Sequence, residues 1–166
     1  PTPAALTNAA KAARTISSSG GKVAVSPAQA TSLKPIYSSD NPIQAMEDAE
    51  KIALLKAVDG YIRAKEPNAN QVVVSLSGVY EEILVTASDG TFATDIRPLV
   101  RLNCSVLIEK GGKRERGSAG AGGRYAYQFF SEQENGKPMY ETLADDALHM
   151  ANVNLEAIAS PAGLMP

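Results

Sequence analysis

The chain has 166 residues, 44% of them hydrophobic and 20% charged, with a formal net charge of −2. That length suits one domain with a real core, and the charge balance gives no reason to expect nucleic acid or an anionic membrane as partner. Its apolar runs are far shorter than the ~20 residues needed to cross a bilayer, and the lone Cys104 excludes an internal disulfide and a cysteine-built zinc site.

A single cysteine suits a reducing compartment. The chain starts at Pro1 rather than Met, so its beginning says nothing about a signal peptide. Both ends read as cuts through a longer polypeptide.

Thr2-Pro3 opens the first helix: a capping hydroxyl precedes a proline whose missing N–H costs nothing in the first turn. Leu6, Ala9, Ala10, Ala13 and Ile16 follow at helical spacing, and Gly20-Gly21 is the expected stop. Gly21 to Asn41 has no period and reads as a long connection with at most one short strand. Asn41-Pro42 repeats the cap-and-proline signature. From about Glu47 to Glu66 the spacing predicts the strongest helix, with Ile52, Leu55, Val58 and Ile62 on one face, widened by Leu54 and Tyr61. Glu47 with Lys51, and Asp59 with Arg63, are placed to pair across one turn.

The period then switches to two. Val72 to Leu76 is a predicted strand, Ser77-Gly78 a turn or bulge, and Tyr80 to Thr86 a second strand. Ser88-Asp89-Gly90 predicts a tight hairpin turn, Phe92 to Arg97 the return strand, and Val100 to Glu109, after Pro98, the clearest strand of all. Lys110-Gly111-Gly112-Lys113 is another hairpin signal. Gly117 to Gly123 reads as a mobile glycine-rich loop, and Arg124 to Phe130 as a last strand with Tyr125, Tyr127 and Phe129 on one face. Asn135-Gly136 is a turn. A final helix is expected from about Pro138 to Ala159, with Leu143, Ala147, Met150 and Asn154 in one row and Leu148, Ala151, Leu155 and Ile158 in the next. Helices, hairpin-linked strands and a closing helix make an α+β fold: an antiparallel β-meander of about five strands with flanking helices, in a single domain over residues 1–166.

His149 is the only histidine, with Asp145 and Asp146 within one helical turn. A zinc site wants three or four ligands, so a solvated helical ion pair is the reading, and no zinc is expected in this stretch. Cys104 has no base beside it in sequence and reads as a buried structural thiol. Glu81-Glu82 and Asp145-Asp146 are adjacent pairs that face different ways, hence solvated surface rather than acid/base dyads. Arg97 to Arg124 carries a local charge of +5 against −7 for the remainder. Three readings stay open for it: a nucleic-acid patch, a hairpin kept soluble by charge, and a surface that recognises the carboxylates of peptides. The glycines of Gly117–Gly123 do not form a phosphate loop, since Arg124 stands where Lys-Ser/Thr belongs. An exposed, side-chain-poor backbone could instead receive an extended peptide by strand addition, and a simple linker is the alternative.

Ser75-Leu76-Ser77-Gly78-Val79-Tyr80, Asp89-Gly90-Thr91, Arg97-Pro98-Leu99-Val100-Arg101-Leu102, Gly112-Lys113-Arg114-Glu115-Arg116-Gly117 and the glycine run closing on Arg124 occur in that order. Taken together they resemble the TldD-type subunits of the TldD/PmbA family of zinc metalloproteases, and the resemblance runs to the terminal Pro161-Ala162-Gly163-Leu164-Met165-Pro166. It implies a cytoplasmic enzyme, formerly labelled a modulator of DNA gyrase, that works with a PmbA-type partner subunit on small or unfolded peptides, including precursors of peptide antibiotics. It also implies a His-Glu-x-x-x-His zinc helix shortly beyond Pro166, so this chain is expected to be the inactive, non-catalytic scaffold and channel portion of its parent, with no catalytic or metal residue of its own. Arg114, Arg116, Gly122, Gly123 and Arg124 are the candidate peptide-binding residues. The alternatives are a nucleic-acid-binding α+β module built on the basic hairpin and a purely structural interaction domain.

Overall fold

A computed structural model describes residues 2–18, 29–30, 35–87, 91–134, 136–158 and 163. It divides into two compact units, one of Pro1–Leu33 with Leu84–Thr94, the other of Lys34–Ile83 with Asp95–Pro166.

The first unit holds helix α1 (Pro3–Ser18), whose first turn is capped as expected: the Ala5 N–H donates to Thr2 Oγ1 at 3.3 Å. None of its residues is buried. A two-residue strand β1 (Gln29–Ala30) pairs in parallel with Thr91 and Phe92. The expected stop at Gly20-Gly21 and the Ser88-Asp89-Gly90 turn lie outside the described residues.

The second unit carries the core. Helix α2 (Asp48–Lys65) begins where the Glu50 carboxylate accepts the Glu47 N–H at 3.1 Å. Asn41-Pro42 opens a separate turn rather than this helix: Asn41 Oδ1 accepts the Ile43 N–H at 3.0 Å. The buried stripe is Leu54, Val58 and Ile62, a strict four-residue row, and Ile52 is left half exposed. Lys51 pairs with Asp48 instead of Glu47, whereas Arg63 takes Asp59 as expected, at 3.0 Å.

Three long strands follow: β2 (Ala69–Thr86), β3 (Thr91–Lys110) and β4 (Lys113–Gly123). They form an antiparallel sheet with β3 in the middle, and β4 pairs with it from Val100↔Gly123 to Lys110↔Lys113. The fold is α+β. The meander has three long strands rather than five, for three reasons.

First, Ser77-Gly78 does not turn. Gly78 sits inside β2, where a β-carbon would collide with the Tyr127 hydroxyl; the glycine makes room for that ring. Second, Pro98 does not end a strand. It lies in β3 beyond the point where β4 stops, so no β4 partner misses its N–H. Third, the glycine-rich segment is strand β4, and Arg124 to Phe130 is not a strand. Tyr127–Ser131 is instead a 3₁₀ helix, with Tyr127 and Phe130, three residues apart, both buried. Gly111 and Gly112 make the expected hairpin with φ of 59° and 78°. A small hairpin, β5 (Gln133–Glu134) with β6 (Lys137–Pro138), turns through Gly136 at φ 79°.

Helix α3 (Met139–Glu156) closes the unit and packs against β4 and α2. Leu143, Ala144, Ala147, Leu148 and Ala151 are its buried residues, while Met150 from the expected row is half exposed. The small residues of this stripe permit close approach. A β-carbon on Gly117 would strike the Ala147 carbonyl and the Ala151 nitrogen. Val100, Leu102, Cys104, Val106 and Ile108 of β3 join the α2 and α3 stripes in one hydrophobic core.

Candidate functional site

The alternation of β3 divides its sheet into two faces. Even-numbered Val100 to Ile108 lie under the helices. Odd-numbered Arg101, Asn103, Ser105, Leu107 and Glu109 look out on the other side. The register places Gly122, Gly120, Ser118, Arg116 and Arg114 beside them on the same outward face.

Arg114 and Arg116 are both exposed there, opposite Glu109 and Leu107. Gly122 and Gly123 end β4, and a β-carbon at Gly123 would meet the Tyr125 ring. Arg124 is placed differently. Its guanidinium donates to the Arg97 and Pro98 carbonyls at 3.2 and 3.3 Å, reaches Glu81 at 3.4 Å and lies 5.9 Å from the Tyr37 ring centre. The structure thus brings Arg114, Arg116 and Gly122 onto one face and ties Arg124 into the neighbouring backbone. The other basic residues divide in the same way. Lys113 caps α3, donating to the Leu155 and Ala157 carbonyls at 2.8 and 3.4 Å, and Arg97 is bound by Asp95 at 2.7 Å.

β4 is an edge strand. The Ser118 N–H donates to Met150 Sδ at 3.4 Å, and the Arg116 carbonyl accepts from Asn154 Nδ2 at 3.0 Å, so even-numbered residues turn their main-chain groups away from β3. The same alternation turns out the groups of Gly120 and Gly122, which find no hydrogen-bond partner among the described residues. Helix α3 covers the edge at Gly117 and leaves it open toward Gly122.

Cys104 is buried, as the sequence predicts. Its thiol donates to the Leu143 carbonyl at 3.4 Å, and burial pushes its pKa up, away from a reactive thiolate. His149 is exposed on α3. Its neighbour Asp145 is otherwise engaged: the carboxylate accepts from Lys65 at 2.9 Å, from Lys137, and from the Tyr61 hydroxyl at 3.3 Å. The expectation that Asp145 is merely solvated therefore gives way to a half-buried hub linking α2, β6 and α3. Burial alone would raise the Asp145 pKa, but the hydrogen bonds from Lys137 and Lys65 outweigh it and hold the carboxyl below its usual range. Lys65 is raised by its contacts with Tyr61 and Asp145, and Lys137 by those with Asp145 and Tyr61. Sequence reasoning missed this hub because its members lie up to 84 positions apart.

Among the described residues no three His, Cys, Asp or Glu side chains come together as metal ligands. These residues do not fit a metal centre.

A family model described as the PmbA/TldA metallopeptidase central domain matches residues 41–155. The chain belongs to the TldD/PmbA family. Its likeness to proteins named metalloprotease TldD homolog identifies the TldD-type side of that family. It is 48% identical over 144 residues to the one from Haemophilus influenzae, covering 86% of this chain and 30% of that protein. To that of Buchnera aphidicola subsp. Schizaphis graminum it is 37% identical over 164 residues, covering 98% and 34%. To that of Buchnera aphidicola subsp. Acyrthosiphon pisum it is 35% identical over 136 residues, covering 81% and 28%. The chain spans about a third of the length of these relatives. The matched span takes in β2, β3 and β4, the Asp145 hub and nearly all of α3, and it omits α1 and β1. No helix among the described residues is long and apolar enough to cross a membrane.

Proposed function

We propose that this chain is the non-catalytic middle portion of a cytoplasmic zinc metalloprotease subunit that hydrolyses small or unfolded peptides. The outward face and open edge of β4 form one wall of the path along which the peptide lies. The observation that carries this reading is the edge itself: at Gly120 and Gly122, outward main-chain groups without partners among the described residues stand beside a face bearing Arg101, Arg114 and Arg116. An extended peptide can add to such an edge through main-chain hydrogen bonds, which makes recognition tolerant of sequence. The zinc ligands, the proton-moving glutamate and the activated water belong to other parts of the parent polypeptide, and a PmbA-type subunit completes the enzyme.

The nucleic-acid reading is weaker. Arg97, Lys113 and Arg124 of the basic segment are spent on internal partners and Arg101 gives its Nε to Asn103, which leaves Lys110, Arg114 and Arg116 without a side-chain partner among the described residues, on a chain whose net charge is −2. The test is done in the complete subunit assembled with its partner. Replacing Arg114 and Arg116 with alanine is expected to slow cleavage of an unfolded peptide while zinc content stays the same. Normal cleavage by that variant, or salt-sensitive binding of duplex DNA by the wild type, removes the peptide-wall reading.

A further inference from the structure

A depression of about 390 Å³ opens in the outward face of the sheet, lined by Val73, Ser75, Arg101, Asn103, Ser105 and Ser118 with the backbone around Gly120. Its chemistry is one-sided. It has one guanidinium, three hydroxyls and one carboxamide, and no carboxylate among its lining residues.

The polar groups are also idle. Ser105 Oγ is buried without a hydrogen-bond partner, the only such side-chain atom among the described residues. A buried hydroxyl left unpaired costs stability, so an orphan of this kind calls for an explanation outside the chain's own packing. Arg101 spends one donor, Nε, on Asn103 Oδ1 at 2.8 Å, and its two terminal nitrogens have no partner among the described residues. That contact ties the guanidinium along β3, where Arg101 lines the depression while staying exposed. Gly120 makes the arrangement possible, because a β-carbon there would strike Asn103 Oδ1.

We propose that this depression is a subsite for the free carboxylate at the end of a peptide. Arg101 supplies the charge-assisted pair. Ser75 and Ser118 supply neutral donors, the orphan Ser105 hydroxyl lies just beneath them, and Val73 offers an apolar floor for the terminal side chain. One cation matches a monoanion, and the volume lies near the lower end of small-ligand sites, enough for the last one or two residues of a chain. The adjoining open edge at Gly120 and Gly122 would hold the residues upstream. The inference rests on the peptide-handling reading and adds to it a preference for substrates with a free end.

Titration of the chain with the tripeptide acetyl-Ala-Ala-Val tests it, with backbone amide resonances as the readout. The expected result is perturbation at Arg101–Ser105 and Ser118–Gly120, with the C-terminal amide of the same peptide binding at least about tenfold more weakly. Arg101→Gln should abolish that difference. Ser118→Ala should weaken the acid form severalfold while the denaturation midpoint holds, since its side chain is exposed in the lining of the depression. Equal affinity for acid and amide, perturbations confined to other strands, no binding up to about 10 mM, or equally tight binding of inorganic phosphate would each overturn the proposal. These outcomes are separable from failure of the broader reading. Cleavage and zinc content of the complete subunit test the protease assignment, and they need not change if the subsite is absent.

Discussion

The two faces of strand β3 are built from alternate residues of one sequence, and they do opposite jobs. Val100, Leu102, Cys104, Val106 and Ile108 are each no more than 2% exposed, roofed by α2 and α3. Arg101, Asn103, Ser105, Leu107 and Glu109, one step out of phase, lie on the face away from α2 and α3. Stability therefore resides on one side, where aliphatic area is removed from water. The other side carries polar groups, of which the buried Ser105 hydroxyl has no hydrogen-bond partner among the described residues. The sharpest tests of this division place matched substitutions on the two faces.

The largest effect is expected from Leu102→Ala. Leu102 is fully buried in the core, so truncation should cost about 2–5 kcal/mol, the lost transfer energy plus the cavity left behind. Leu107, partly buried on the outward face, should lose less on the same change, about 1–2 kcal/mol. Urea denaturation of both variants reads the contrast, and equal losses would break it.

Two glycines of β4 give the next comparison. Gly117→Ala drives a methyl into the α3 backbone at Ala147 and Ala151, which cannot swing aside; about 1–3 kcal/mol should be lost as the helix is pushed off the sheet. Gly120→Ala meets the Asn103 carboxamide, which can rotate, though the Leu102 carbonyl at 3.1 Å limits the room. It should cost less than Gly117→Ala in stability, and should disturb Arg101 instead. If the two alanine variants unfold at the same urea concentration, β4 is not pinned at Gly117 in the way described.

A smaller and pH-dependent effect belongs to Asp145. Its folded pKa lies below the ordinary aspartate value of about 4, so the hub contributes fully above that pH and fades as the pH drops through the lowered folded value. Lys65 and Lys137 are shifted upward, so their share fades only as the pH rises beyond the ordinary lysine range. Because the Asp145 side chain keeps 34% of its surface exposed, Asp145→Asn should cost only about 1–2 kcal/mol at neutral pH, and the difference from wild type should shrink on acidification below about pH 4. A gap that stays constant down to pH 2 would assign the loss to packing instead.

The features that were legible in the sequence share one property: their cause is local. The alternation of β3, the burial of Cys104, the Gly111-Gly112 hairpin, the Asp59–Arg63 pair and the existence of α2 and α3 all follow from spacing within a few residues. What escaped depends on distant partners. Gly78 looks like a turn until Tyr127 is placed against it. Gly117–Gly123 looks like a loop, because nothing in Gly-Ser-Ala-Gly-Ala-Gly-Gly favours a strand by itself; an eleven-residue ladder to β3 and the small-residue stripe of α3 hold it extended. Tyr125 to Phe130 alternates like a strand, yet the 3₁₀ turn buries Tyr127 and Phe130 at a spacing of three. The candidate site divides likewise. The basic, glycine-rich character of Arg114 to Arg124 is plain in the sequence, but which arginines remain unengaged is not. That depends on carbonyls of Arg97 and Pro98 brought alongside by the strand pairing.

This last distinction gives the smallest stability effect and the most telling functional one. Arg114 and Arg116 are exposed on the outward face and form no ion pair among the described residues, so Arg114→Ala with Arg116→Ala should shift stability by less than about 1 kcal/mol. Arg124 is also basic and adjacent, but it donates to two carbonyls at the point where β4 ends, and Arg124→Ala leaves both acceptors to find water. It should cost about 1–2 kcal/mol, and any loss of activity it causes would be ambiguous. Replacing all three together would merge the two effects, so they must be separated. In the complete subunit, the Arg114/Arg116 double variant should unfold like wild type and cleave unfolded peptide more slowly, whereas Arg124→Lys, which keeps the charge but loses the fork geometry, should show its deficit chiefly in stability. If the double variant is as active as wild type while Arg124→Lys is inactive at full stability, the peptide-contacting cation is Arg124, and the outward face of β4 is only solvated surface.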